Sequence, residues 1–111
     1  MNQLELTISE GKRDIGIERA GSKADRDHGE WTKLAVEWIT AYAKRHERFL
    51  AEHARGAAEL GGFVVPQNRR AWGAAIKRAE REHVIEFDGY APANSSNRSP
   101  KVLWKSRVFD V

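Results

Sequence analysis

Apolar residues recur at helical spacing in the segment that begins at Trp31. They follow one another at short intervals up to Ala43, so that one face of a helix would carry them all. Lys44 and Arg45 come next, and basic residues are favoured where the dipole of a helix ends. The pattern therefore predicts an amphipathic helix over residues 31–45. Its apolar face consists of Trp31, Leu34, Ala35, Trp38, Ile39, Tyr42 and Ala43.

Two further helices are predicted after this one. The stretch "AEHARGAAEL" indicates a helix over residues 51–61, where the glycines Gly61 and Gly62 suit a left-handed C-cap. The third helix is predicted over residues 68–83, because Asn68 is a good N-cap and follows a proline-containing loop. Its apolar residues form one continuous stripe, made of Ala71, Trp72, Ala75, Ile76 and Ala79.

The spacing of apolar residues changes from about 3.6 to about 2 at Val84, which favours strands over a helix. We expect strands near residues 84–90 and 101–108. The polar run "APANSSNRSP" lies between them and is typical of a loop. Together these features predict an antiparallel hairpin with a long polar tip.

The segment before residue 30 is polar and carries a weaker pattern. A short helical candidate runs from Arg13 to Lys23, but Gly16 and Gly21 weaken it. We therefore expect an N-terminal arm or appended helix that lies outside the core.

Three helices followed by a hairpin is the element order of a winged helix-turn-helix, in which the third helix enters the major groove of DNA. We therefore expect a mainly α fold with a C-terminal β-hairpin. Residues 30–111 would form a winged helix-turn-helix domain, and residues 1–29 the N-terminal arm or appended helix. Seven large side chains should be buried together in its core: Trp38, Ile39, Tyr42, Trp72, Ile76, Ile85 and Trp104.

Positive charge is concentrated in the C-terminal half of the chain. The formal net charge is +3, but residues 1–61 hold 10 Lys and Arg against 11 Asp and Glu, whereas residues 62–111 hold 9 against 5. A basic surface on a helix and a hairpin is the electrostatic footprint of a protein that binds phosphates.

The predicted third helix and hairpin supply the candidate DNA-binding residues. Cations at the start of the helix would meet base edges or phosphates, and those of the wing would contact the DNA backbone. The alternative is that each cation serves only the solubility of its surface. The candidate residues are Arg69, Arg70, Lys77, Arg78, Arg81, Asn97, Arg98, Lys101 and Lys105.

Catalysis, metal binding and cofactor binding are not expected. The chain contains no cysteine, so it can form neither a disulfide nor a thiolate site, and its four histidines show no metal-binding spacing. No phosphate-binding glycine loop is present, and the carboxylates Asp25 and Asp27 lie in a polar segment that is a poor place to raise a carboxyl pKa. With no long apolar run and no signal-peptide pattern, we expect a protein of the bacterial cytoplasm.

The stretch "RAWGAAIKRAEREHVIEFDGYAPANSSNRSPKVLWKS" resembles the C-terminal part of a group of small, mostly uncharacterised phage and prophage proteins. Their shared pattern combines R-A-x-G-A, a basic helix, G-Y, a Ser/Arg-rich loop and P-V-x-V-W-x-S, and the resemblance extends over residues 12–107. One departure is Ala51, which stands where the second helix of those proteins tends to start with Ser or Thr. The matching residues are Arg70, Ala71, Gly73, Ala74, Ile85, Gly89, Tyr90, Pro100, Val102 and Trp104.

This resemblance implies a phage or prophage protein of winged-helix type. With the basic third helix, it favours a protein that binds double-stranded DNA as a transcription regulator or replication accessory. An alternative of another class is a phage accessory protein that inhibits or redirects a host protein, such as a component of a defence system. A homodimer paired through its first helix or arm is a third possibility.

Overall fold

The computed structural model describes the backbone of residues 3–92 and 100–110, and the side chains of these residues from Ile15 onward. The described part of the chain forms four α-helices and three β-strands. In chain order they are α1 (Gln3–His28), α2 (Trp31–Arg45), β1 (Arg48–Leu50), α3 (Ala51–Leu60), α4 (Ala71–Arg81), β2 (Ile85–Pro92) and β3 (Pro100–Ser106).

Helices α2 and α3 confirm the predicted segments, and the end of α3 confirms the glycine cap. Gly62 has a φ of +87°. The Phe63 N–H donates to the Ala58 carbonyl at 2.9 Å, and the Gly62 N–H donates to the Glu59 carbonyl at 3.2 Å. These two bonds define a Schellman motif, in which the left-handed residue is most easily a glycine.

Helix α4 begins three residues later than the sequence predicts. Asn68 is therefore not the N-cap of α4, a position that Arg70 occupies, but its side-chain Oδ1 accepts the N–H of Arg70 at 2.9 Å and closes the turn before the helix. The next turn is tighter than an α-helix, since the N–H groups of Ala71 and Trp72 bond back three residues, to the carbonyls of Asn68 and Arg69. Arg69 and Arg70 therefore lie in this entry turn and not in the regular helix.

The three strands form an antiparallel sheet in the order β1-β3-β2. The pairing of β2 with β3 confirms the predicted hairpin. Strand β1 was not predicted, because Phe49 and Leu50 are only two adjacent apolar residues between the predicted helices. Phe49 pairs with Trp104 across the β1–β3 ladder. This pairing connects the hairpin to the short segment between the end of α2 and the start of α3.

The centre of the core lies where α2, α4 and the loop after α3 meet. The Trp31 side chain is 1% exposed. Its ring contacts those of Trp72 and Phe63 edge-on, with centroids 5.0 and 6.0 Å away. The Trp31 indole N–H donates to the Val64 carbonyl at 2.9 Å.

The predicted core is confirmed for four of its seven residues. Ile39, Trp72, Ile76 and Ile85 are buried, whereas Trp38, Tyr42 and Trp104 are only partly buried at the edge of the core. Tyr42 stacks between Trp38 and His46, with ring centroids at 5.3 and 3.9 Å. Leu34 is exposed, so the apolar face of α2 is narrower than predicted.

Helix α1 corrects the expectation for the N-terminal segment. It is a helix of 26 residues, longer than the predicted candidate. Ile17, Ala20 and Ala24 are buried, so the expectation that this segment lies outside the core is wrong. Gly16 and Gly21 do not break the helix, and at Gly21 the absence of a side chain lets α1 approach Ala74 of α4 closely. No helix among the described residues is long and apolar enough to cross a membrane.

Candidate nucleic-acid interface

Helix α4 has two faces with different neighbours. The five residues of its apolar stripe are all buried, as the sequence predicts. The opposite side carries Gly73 and Ala74 together with the cations Lys77, Arg78 and Arg81. We call this side the outer face of α4. Lys77 and Arg78 are half-buried and Arg81 is exposed.

Helix α1 packs on the outer face of α4. A Cβ atom added at Gly21 of α1 would lie 2.7 Å from the Cβ of Ala74, closer than two carbon atoms can approach. A Cβ atom added at Gly73 would lie 3.2 Å from a methyl carbon of Ile17. The two helices therefore approach each other at positions where side chains are absent or small, and this contact places the backbone of α1 over the centre of the face.

A cleft of about 380 Å³ runs along this contact. From α4 it is lined by the cations of the outer face, and from α1 by Glu18, Ser22 and Asp25. The Asp25 Oδ1 also accepts the N–H of Thr32 at 2.7 Å, where a carboxylate stabilises the start of α2. Carboxylates of α1 thus stand on the same cleft as the cations of α4.

The structure separates the two arginines of the entry turn. Arg69 points towards α3, where its Nη2 lies 3.5 Å from Glu59 Oε2. Arg70 extends towards α1, with its Nη1 3.4 Å from the position of a Cβ added at Gly16. Only Arg70 therefore reaches the helix that covers the outer face.

From the sequence alone, Arg69, Arg70, Lys77 and Arg78 are expected to share one exposed face that neither Glu80 nor Glu82 pairs, and this expectation is wrong. The Arg78 Nε donates to Glu82 Oε2 at 2.9 Å, one turn further along α4. The glutamate follows the arginine by four residues, a spacing that brings the two side chains together on a helix.

The two described cations of the hairpin that the sequence predicts, Lys101 and Lys105, lie at different positions on β3. Lys105 pairs in register with Arg48 of β1 and Glu86 of β2, and Lys101 is exposed nearer the tip. The Arg48 Nε donates to Asp88 Oδ2 at 2.7 Å, and this bond with the carboxylate charge raises the pKa of Arg48. The predicted Asn97 and Arg98 lie outside the described residues.

An exposed aromatic pair on β2 was not predicted from the sequence. Phe87 and Tyr90 are 52% and 67% exposed, and their rings meet edge-on with centroids 5.4 Å apart. An irregularity in the β2–β3 register lies between them, where Gly89 has a φ of +89°. In a regular strand the side chains of Phe87 and Tyr90 would point to opposite faces. The extra residue at the irregularity allows them to meet on the same face. The D-G step inside an apolar strand was the signal, since it is typical of a bulge.

Three further apolar side chains are exposed at the end of α3 and in the loop that follows it. Leu60 is 92% exposed, and Val64 and Val65 are about half exposed.

Among the described residues, no three His, Asp or Glu side chains come together as metal ligands. No family model, curated protein or solved structure matches the chain.

Proposed function

We propose that this chain is a winged-helix protein that binds double-stranded DNA, as a phage or prophage transcription regulator or replication accessory. One observation carries the proposal: strand β1 joins the hairpin, so the element order α2-β1-α3-α4-β2-β3 is that of a winged helix-turn-helix. In this interpretation α3 and α4 form the helix-turn-helix, and the β2–β3 hairpin is the wing.

The position of the cations supports the same proposal. Arg70, Lys77, Arg78 and Arg81 lie on or beside the outer face of α4, which is the side a recognition helix turns towards DNA. The major groove is about 12 Å wide and accepts one helix. Lysine and arginine side chains along such a helix neutralise phosphates and supply most of the affinity for any duplex.

The observed ion pair does not prevent this use of Arg78. Arg78 and Glu82 are partly exposed, with side-chain relative accessibilities of 40% and 49%. Exposed pairs of this kind contribute about 0–1 kcal/mol, because water screens them and both side chains lose freedom. A phosphate oxygen can therefore replace Glu82 at small cost.

A second candidate function is the binding of a host protein. Exposure of Leu60, Val64 and Val65 in one short segment favours it, because apolar side chains grouped on a surface often mark a protein contact. The cover that α1 places on the outer face of α4 also restricts the access of DNA to that face in this form of the chain.

A salt titration of duplex affinity separates these functions. About four phosphates neutralised by the α4 cations give a log–log slope of about −4 for the wild type between about 50 and about 200 mM salt. Replacing Arg70, Lys77, Arg78 and Arg81 with alanine should weaken binding to every duplex and flatten the slope. Arg69 stays unchanged, because it faces Glu59.

A matched control variant removes four exposed cations elsewhere: Arg19, Lys33, Lys44 and Arg45. Both variants lower the net charge equally, so only a contact through α4 distinguishes them. Equal slopes for the two variants would contradict α4 as the contact. Duplex binding that is absent at low salt, or present but insensitive to salt, would favour the protein-partner function.

A further inference from the structure

We infer that α1 is a displaceable cover on the outer face of α4, so that α1 and duplex DNA compete for the same surface. This inference rests on the proposed function and adds its regulation. The form of the chain seen here would be the covered form, with weakened affinity for DNA.

The close approach of the helices makes the competition obligatory. A Cβ at Gly21 would already collide with Ala74, so the backbone of α1 stands at van der Waals distance from α4. A duplex that receives α4 in its groove needs this same space. No rotation of side chains can make room, because the obstacle is the α1 backbone itself.

The carboxylates that α1 places at the cleft carry negative charge, as the phosphates of DNA do. Glu18 and Asp25 line the cleft together with Lys77, Arg78 and Arg81. Carboxylates and phosphates are both oxygen anions that lysine and arginine bind. The carboxylates of α1 therefore stand beside cations that would meet phosphates in the complex, and a duplex with its dense line of charge is the stronger competitor at low salt.

In the part of α1 whose side chains the structure describes, few apolar side chains hold the helix in place, beside the hydrogen bond from the Thr32 N–H to Asp25. In its described part only Ile17, Ala20 and Ala24 are buried apolar side chains, and two of these are alanines. Release of residues 15–28 therefore takes few apolar atoms out of contact, and for these residues its free energy is modest compared with that of opening the core around Trp31.

The two-residue turn between α1 and α2 would serve as the hinge for this movement. Gly29 and Glu30 have φ values of +54° and +51°, and they separate α1 from α2. Glu30 is a residue that rarely adopts such a φ, so the turn is under strain that a change of angle would relieve. Trp31 follows at once and is fixed in the core, so α1 can swing while α2 stays in place.

Two glycines give a matched test. Gly21→Leu places a side chain into the contact with Ala74, whereas a Cβ at Gly56 of α3 meets nothing within 4 Å. Both changes replace a helical glycine, so both raise the helix propensity of their own segment. Duplex affinity is measured at low salt for the wild type, Gly21→Leu and Gly56→Leu, and amide hydrogen exchange of residues 15–28 reports whether α1 is released.

We expect Gly21→Leu to bind the duplex at least about tenfold more tightly than the wild type, because the covered fraction no longer reduces its affinity. Gly56→Leu should match the wild type. If Gly21→Leu exposes α1 to exchange but binds the duplex only as tightly as the wild type does, the cover is overturned and DNA binding stands. If none of the three proteins binds a duplex while α1 is released, both proposals are overturned.

A second pair of variants tests the same competition if Gly21→Leu fails to fold. Glu18→Gln removes a carboxylate from the cleft, and Glu37→Gln removes one from an exposed position on α2. The net charge changes equally in both. We expect the duplex affinity of Glu18→Gln to exceed that of Glu37→Gln several-fold, and equal affinities would overturn the competition between α1 carboxylates and phosphates.

Discussion

Two buried tryptophans in contact with each other should respond differently to the same substitution. Trp31 and Trp72 are 1% and 4% exposed, and their rings meet at 5.0 Å. The Trp31 N–H donates to the Val64 carbonyl. The Trp72 Nε1 is buried without a hydrogen-bond partner among the described residues. The substitution of each by phenylalanine isolates this difference.

The expected magnitudes follow from the two environments. Each change to phenylalanine removes part of a packed ring, which costs roughly 1–2 kcal/mol in lost contacts and cavity. Trp31→Phe also removes a hydrogen bond worth about 1 kcal/mol, for a total of roughly 2–3 kcal/mol. Trp72→Phe instead removes a buried, unpaired N–H, whose desolvation had cost about 1–2 kcal/mol, so the two effects cancel and the net change lies within about 1 kcal/mol of zero.

Urea unfolding followed by far-ultraviolet circular dichroism measures both variants without relying on tryptophan fluorescence. We expect Trp31→Phe to be less stable than Trp72→Phe by about 2 kcal/mol. Equal losses, or a greater loss for Trp72→Phe, would refute the assignment of the two N–H groups and the account of the core built on it.

Two further predictions concern the edge of the core. The Ser106 hydroxyl donates to the Ala43 carbonyl at 2.7 Å and accepts the Val108 N–H at 3.1 Å. Ser106→Ala should therefore lower the free energy of unfolding, measured by urea unfolding, by about 1–2 kcal/mol. The same change at the exposed Ser22 should have no such effect. Burial raises the pKa of Tyr42 above its ordinary value of 10.0, so its contribution to stability is complete below pH 10.0 and is lost as the pH rises through the folded-state pKa. Urea unfolding between about pH 8 and about pH 11 should therefore show a smaller alkaline decline for Tyr42→Phe than for the wild type, and identical declines would contradict the shift.

The sequence predicted the elements whose signals are local. The stripe of α4 and the glycine cap of α3 depend on residues a few positions apart, and both are present. Strand β1 could not be predicted in this way, because three residues are too few to show a period. It is a strand because β3, more than fifty residues later, supplies its partner.

The surroundings of the candidate site depended on contacts that a single sequence does not show. Gly21 looked like a weakness in a helix, and only the approach of Ala74 explains it as a packing position. Arg69 and Arg70 are neighbours in sequence but extend towards different helices. The residue types of a basic surface were therefore predictable, whereas its cover was not.

The most direct measurement is amide hydrogen exchange of the full chain with and without a saturating random duplex at low salt. If the duplex binds the outer face of α4, residues 15–28 of α1 should exchange faster in the complex, while residues 71–81 of α4 stay protected, and added salt should reverse the change. Unchanged exchange in α1 with the duplex bound would contradict the account. So would new protection confined to the surface of Leu60, Val64 and Val65.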